Sequence, residues 1–144
     1  MNRRQQKKLS HRLFTAILVG DAARVRAALR AGAAPERPDR EGTTPLYKAS
    51  VNGNAEIARL LLAAGAAPNA ESSGVGAEGT PLCAAACWGY AETVRVLLAY
   101  GADPNRREDD GTGWSPLEWA LRGPHPETVE LLMGAGARPH GGTS

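Results

Sequence analysis

Aromatic residues are scarce in this chain: Phe, Trp and Tyr make up 5% of it, and Phe occurs once. A core so short of rings must be packed by Leu, Val and above all Ala, whose small side chain lets helices approach closely. Long apolar runs are also missing, and nothing nears the ~18 residues expected of a membrane-spanning segment. The basic opening, Met1 to Lys8, is not followed by an adequate apolar signal core or a cleavage site. Only two cysteines occur, Cys83 and Cys87, so reduced thiols in a cytoplasm are expected. Lysine appears just three times, and with abundant Ala, Gly and Arg this bias points to a GC-rich, bacterial coding sequence. Catalytic signatures are absent as well: no GxxxxGK(S/T), GxSxG or HExxH pattern, and no Gly-rich turn after a strand.

What the chain does have is a period. In the stretch Thr80-Pro81-Leu82, Thr80 suits a helix N-cap and Pro81 the first helical position. Leu82, Ala85 and Ala86 then share one face, and Gly89 stops the helix. A second helix from about Ala91 carries Val94, Leu97 and Leu98 on one face and ends at Gly101, where a left-handed residue is wanted. Neither helix reaches the ~12 residues that would stand alone in water. Neighbouring copies supply the missing support. Thr44-Pro45-Leu46 and Ser115-Pro116-Leu117 repeat the start, and Gly65, Gly101 and Gly136 each fall twenty residues after their proline. The connections from one closing glycine to the next proline vary, so insertions collect on one side of a stacked array.

These residues make the chain resemble an ankyrin-repeat protein, whose units carry a T-P-L-H-x-A signature. Units 39–70, 71–105 and 106–139 match it. A degenerate unit over 11–38 precedes them, with Leu13, Ala16, Gly20, Val25, Leu29 and Gly32 in register with Leu46, Ala49, Gly53, Ala58, Leu62 and Gly65. Residues 1–10 form a basic arm or helix extension, and 140–144 a flexible tail. The resemblance implies an all-α solenoid of helix-turn-helix units with short hairpin fingers. Arg24, Arg26 and Arg30, with Ala28 in place of Leu, suit a first unit whose outer face meets water. No full capping unit follows Met133, which leaves that end exposed or covered by a partner.

Departures from the pattern matter. The family's signature histidine is replaced by Phe14, Tyr47, Cys83 and Glu118 in turn, which calls its inter-unit hydrogen bonds into question. Pro124 stands where a turn glycine belongs, so Gly123 is expected to take the left-handed conformation instead. Gly42 is expected to supply a positive φ at the first finger tip. Cys83 and Cys87 lie four apart and could in principle hold zinc with His125 or His140. Cys83, however, takes a core-facing position and the histidines lie in other elements, so no metal, cofactor or catalytic residue is assigned.

By function, the resemblance implies a non-enzymatic module that binds a partner protein through inner-helix residues and finger tips. Carried over by position, the inner-helix sites are Leu18 and Val19, Val51 and Asn52, Cys87 and Trp88, and Arg122 with Gly123. The finger sites are Arg40, Glu41 and Thr43, then Glu78 and the stretch Asp109, Asp110 to Trp114. Such a module acts as a scaffold, or as a regulator or inhibitory subunit that masks an enzyme. The alternative is a nucleic-acid or anionic-surface binder working through Arg3, Arg4, Lys7, Lys8 and Arg12. Five charges without interleaved aromatics favour a solvated helix extension over a nucleic-acid site.

Overall fold

The computed structural model describes residues 1–74 and 77–139. The tail expected at 140–144 lies outside them. Four helix pairs stack side by side. The inner row is α1 (Arg3–Val19), α3 (Pro45–Val51), α5 (Pro81–Trp88) and α8 (Pro116–Leu121). The outer row is α2 (Ala22–Arg30), α4 (Ala55–Ala63), α6 (Ala91–Ala99) and α9 (Pro126–Gly134). A single turn, α7 (Glu108–Gly111), lies in the last finger. Strands β1 (Ser72–Gly74) and β2 (Ala77–Gly79) pair antiparallel in the finger before it. Each inner helix packs on its own outer helix and on the inner helix of the next unit, and the outer row does the same. This is the one-dimensional contact pattern of an all-α solenoid.

The inner helices start where the sequence places the caps. Thr44, Thr80 and Ser115 accept the backbone N–H of Tyr47, Cys83 and Glu118, each followed by proline at the first helical position. The first unit starts differently. Asn2 caps α1 in a reciprocal bond with Gln5, so the helix begins nine residues before Arg12, the position matching Pro45. Leu9 on this extension is buried against the first pair.

Two buried ladders hold the stack. Leu13, Leu46, Leu82 and Leu117 repeat one core position, and Ala16, Ala49, Ala85 and Ala120 another. The alanines let inner and outer helices come close, and each leucine contributes roughly 1.5–3 kcal/mol by leaving water. A third ladder runs along the turns. The residue that opens each later outer helix, Asn54, Tyr90 or His125, lies over the turn glycine of the unit before it, at Gly20, Gly53 or Gly89. Gly53 and Gly89 are therefore constrained twice. Their φ values of 70° and 71° disfavour any side chain, and a Cβ on Gly53 would meet the Tyr90 ring at 2.8 Å.

The fourth turn corrects one expectation. Gly123 does not adopt a positive φ; the turn is closed instead by the His125 N–H donating to the Gly123 carbonyl at 2.9 Å, around Pro124. A three-residue turn of this kind wants a central φ near −75°, which proline already has. Gly123 is still tightly placed, since a Cβ there would lie 2.6 Å from His125 Nε2. Gly42 does take a positive φ, of 91°.

Candidate functional site

The inner-helix face ends, unit by unit, in the residues just before each turn. Val19 and Trp88 project from the last turns of α1 and α5 and are 66% and 60% exposed. Asn52 and Arg122 are exposed, while Val51 and Cys87 are half-buried. A large indole left in water at the end of a helix is uncommon where the same helix buries six of its eight residues.

The fingers approach this face from one side. Asp39 builds the tip of the first finger: its carboxylate accepts the N–H groups of Glu41 and Thr43, and its own N–H donates to the Thr43 carbonyl at 2.9 Å. Arg40 and Glu41 are left exposed at the tip. Thr43 is not. It is buried at the base of the finger, so its side chain offers nothing to a partner and its place among the surface residues is corrected.

In the last finger, Trp114 does not stand free. Its ring centroid lies 4.7 Å from that of Trp119, tilted by 49°, and the Arg122 guanidinium sits 4.5 Å above it. Trp119 in turn donates its indole N–H to the Glu108 carboxylate at 2.8 Å. Trp114 and Arg122 thus come together in one cluster, with Trp119 and Glu108 as members that the sequence reading missed. A usable signal existed: Trp119 and Arg122 are three apart on one short helix, which puts them on one face. Asp109 lies in α7 with φ of 51°, the only non-glycine with positive φ among the described residues. Its carbonyl accepts from the Thr112 hydroxyl at 2.7 Å, so the acidic pair belongs to a local turn. Asp110 follows it in α7. Glu78 belongs to β2.

The positions of the missing histidine find other partners. The Cys83 thiol donates to the Trp114 carbonyl at 3.7 Å, linking units three and four. Glu118 closes a capping box with Ser115 and lies 3.9 Å from Arg107. Burial pushes the Cys83 thiol well above its ordinary value, with the Thr80 hydrogen bond opposing. Cys87 is raised too, first by partial burial and then by Glu108, against which Arg122 acts. Both shifts disfavour the thiolate, the form that acts as a nucleophile. Among the described residues no three His, Cys, Asp or Glu side chains gather as metal ligands, and His140 lies outside those residues. No helix among them is long and apolar enough to cross a membrane.

A stack of short helix pairs with fingers on one side defines the class of solenoid repeat proteins. Residues 73–141 match a family model described as ankyrin repeats (3 copies), and residues 29–76 one described as ankyrin repeats (many copies). The chain belongs to the ankyrin-repeat family. Repeats of this family are generally protein–protein interaction modules and typically not enzymes. No curated protein matches the chain.

Proposed function

We propose that this protein binds a partner protein along its inner-helix and finger face, with Trp88 as the central anchor. The observation that carries the reading is the exposed Trp88 ring. Around it stand Val19, Val51 and Asn52 on the preceding inner helices, Cys87 beside it, and Arg122 on the following one. The finger residues Arg40, Glu41, Asp109, Asp110 and Trp114 flank this row. Apolar residues with tryptophan and arginine along one face have the composition of a binding hot spot. Binding of this kind serves scaffolding or the masking of an enzyme equally well.

The test is Trp88→Ala, measured on the complex with a partner captured from the native host and then purified. Affinity should fall by about 2 kcal/mol or more. The free energy of unfolding should change by less than about 0.5 kcal/mol, because an exposed ring leaves no cavity. A variant that melts early while its folded fraction binds normally would mean that Trp88 packs against its own chain and that the anchor lies elsewhere.

A further inference from the structure

Between α1 and the first finger lies an open groove of about 680 Å³. That volume is ordinary for a recess that takes a ligand or a peptide side chain. Its origin is a difference in chain length. The connection from Gly32 to Pro45 is thirteen residues, against sixteen from Gly65 to Pro81 and fifteen from Gly101 to Pro116. The longer connections close over the preceding inner helix. Ser72 accepts the Thr44 N–H at 3.0 Å, and Tyr47 is buried; the Trp114 carbonyl accepts from Cys83, and Cys83 is buried. Phe14 holds the equivalent position in the first unit, and there the short finger leaves it only half-buried, lining the groove.

Electrostatics gives the groove a preference. Lys7 and His11 line it from the extended part of α1, and Arg37 and Arg40 from the finger. Lys7, Arg37 and Arg40 have no ion-pair partner within 4.0 Å among the described residues. Asp39 and Glu41 also line it, but Asp39 spends one carboxylate oxygen on the N–H groups of its own turn. The result is a lining with three cations free of ion pairs and two carboxylates, a net excess of one positive charge, around the chain's single phenylalanine.

We infer that this groove takes an acidic peptide segment of a partner protein, with an apolar side chain against Phe14 and carboxylates toward Lys7, Arg37 and Arg40. The inference rests on the chain being a protein-binding module; the groove shares Arg40 and Glu41 with the face proposed above, but Trp88 does not line it. A peptide fits better than nucleic acid. Asp39 and Glu41 repel an unbroken row of phosphates, and one half-buried ring is a poor platform for stacked bases. A peptide can place neutral or basic residues at those two positions and acidic ones at the three cations.

The experiment pans a random twelve-residue peptide library, displayed on phage, against the full chain. Enriched peptides should be rich in Asp and Glu around one aliphatic or aromatic residue. Synthesised and titrated by fluorescence anisotropy, they should lose about tenfold or more in affinity on Lys7→Glu and on Arg40→Glu. Both changes are on exposed side chains, and circular dichroism should be unaltered. Phe14→Ala should weaken binding as well, and Trp88→Ala should not. Failure to enrich any peptide, enrichment without acidic bias, or affinity indifferent to both charge reversals would overturn the inference. So would an oligothymidylate that binds more tightly than the peptides with the same dependence on Lys7 and Arg40. Peptides that need Trp88 but not Lys7 or Arg40 would overturn the groove and leave the protein-binding reading standing.

Discussion

One repeat position has opposite fates at two places in this molecule. Inside the stack, between units three and four, Ala86 at the end of α5 is fully buried. One unit later the matching residue on α8 is Leu121, larger and more apolar, yet 59% exposed. Met133 on α9 repeats the contrast: it is exposed, whereas its counterpart Leu98 packs against the core. Burial here is set by the neighbour and not by the residue's own hydrophobicity. In a compact domain a leucine at a core position of the pattern can be assumed buried. In a stack that holds only where another unit lies beyond it.

The largest expected effect lies inside. Leu82 on α5 is buried with helices of its own unit and of both neighbours around it. Leu82→Ala should cost about 3 kcal/mol, the transfer loss plus a cavity that a stack held on both sides cannot collapse. Denaturant titration followed by circular dichroism reads it. A loss below about 1 kcal/mol would mean that the central junction is loosely packed, and the contrast with Leu121 would disappear.

A pH effect of intermediate size belongs to the same junction. The buried Cys83 thiol has its pKa raised in the folded protein above the ordinary 9.0, chiefly by loss of solvation. Below pH 9 both folded and unfolded states keep the proton, so the thiol adds no pH dependence. Above it the unfolded state ionises and the folded state does not, and stability is lost as pH rises. Between pH 9 and 10 this should remove about 1 kcal/mol in the native chain that Cys83→Ala retains. Equal slopes for the two proteins would show that water reaches the thiol and that the junction opens.

The period was readable because its signals are chemical and local: a cap oxygen, a proline and a closing glycine at fixed spacing each dictate backbone conformation. The helix pairs and their order follow from those signals alone. What escaped depends on how side chains and turns meet in space, not on one residue's own backbone preference. Thr43 reads as a finger residue, but its burial comes from the way Asp39 folds the tip back onto it. Gly123 reads as the replacement for a lost turn glycine, whereas Pro124 already suits a tighter turn. Trp119 occupies the place of Ala84 in the unit before it, and only the fold shows its ring against Trp114 and its N–H on Glu108. The groove beside Phe14 needed both the short connection and the extended α1 to be seen together.

The smallest effect is the one that decides the comparison. Leu121 has no covering neighbour among the described residues and is 59% exposed, so truncating it removes little that folding had taken out of water. Leu121→Ala should therefore change stability by less than about 0.5 kcal/mol. Leu121→Gln should do no worse, since an exposed site imposes no desolvation on the amide. The measurement is the same denaturant titration, run at two protein concentrations tenfold apart. A cost above about 1 kcal/mol would contradict the exposed position, and concentration dependence tells why. A midpoint that rises with concentration in the native chain and not in Leu121→Gln means that copies cover this face for one another. A concentration-independent cost means instead that α8 and α9 close around Leu121 within one chain. If neither cost appears, the outer face of unit four is open to water, and the buried ladder ends at Leu117 and Ala120.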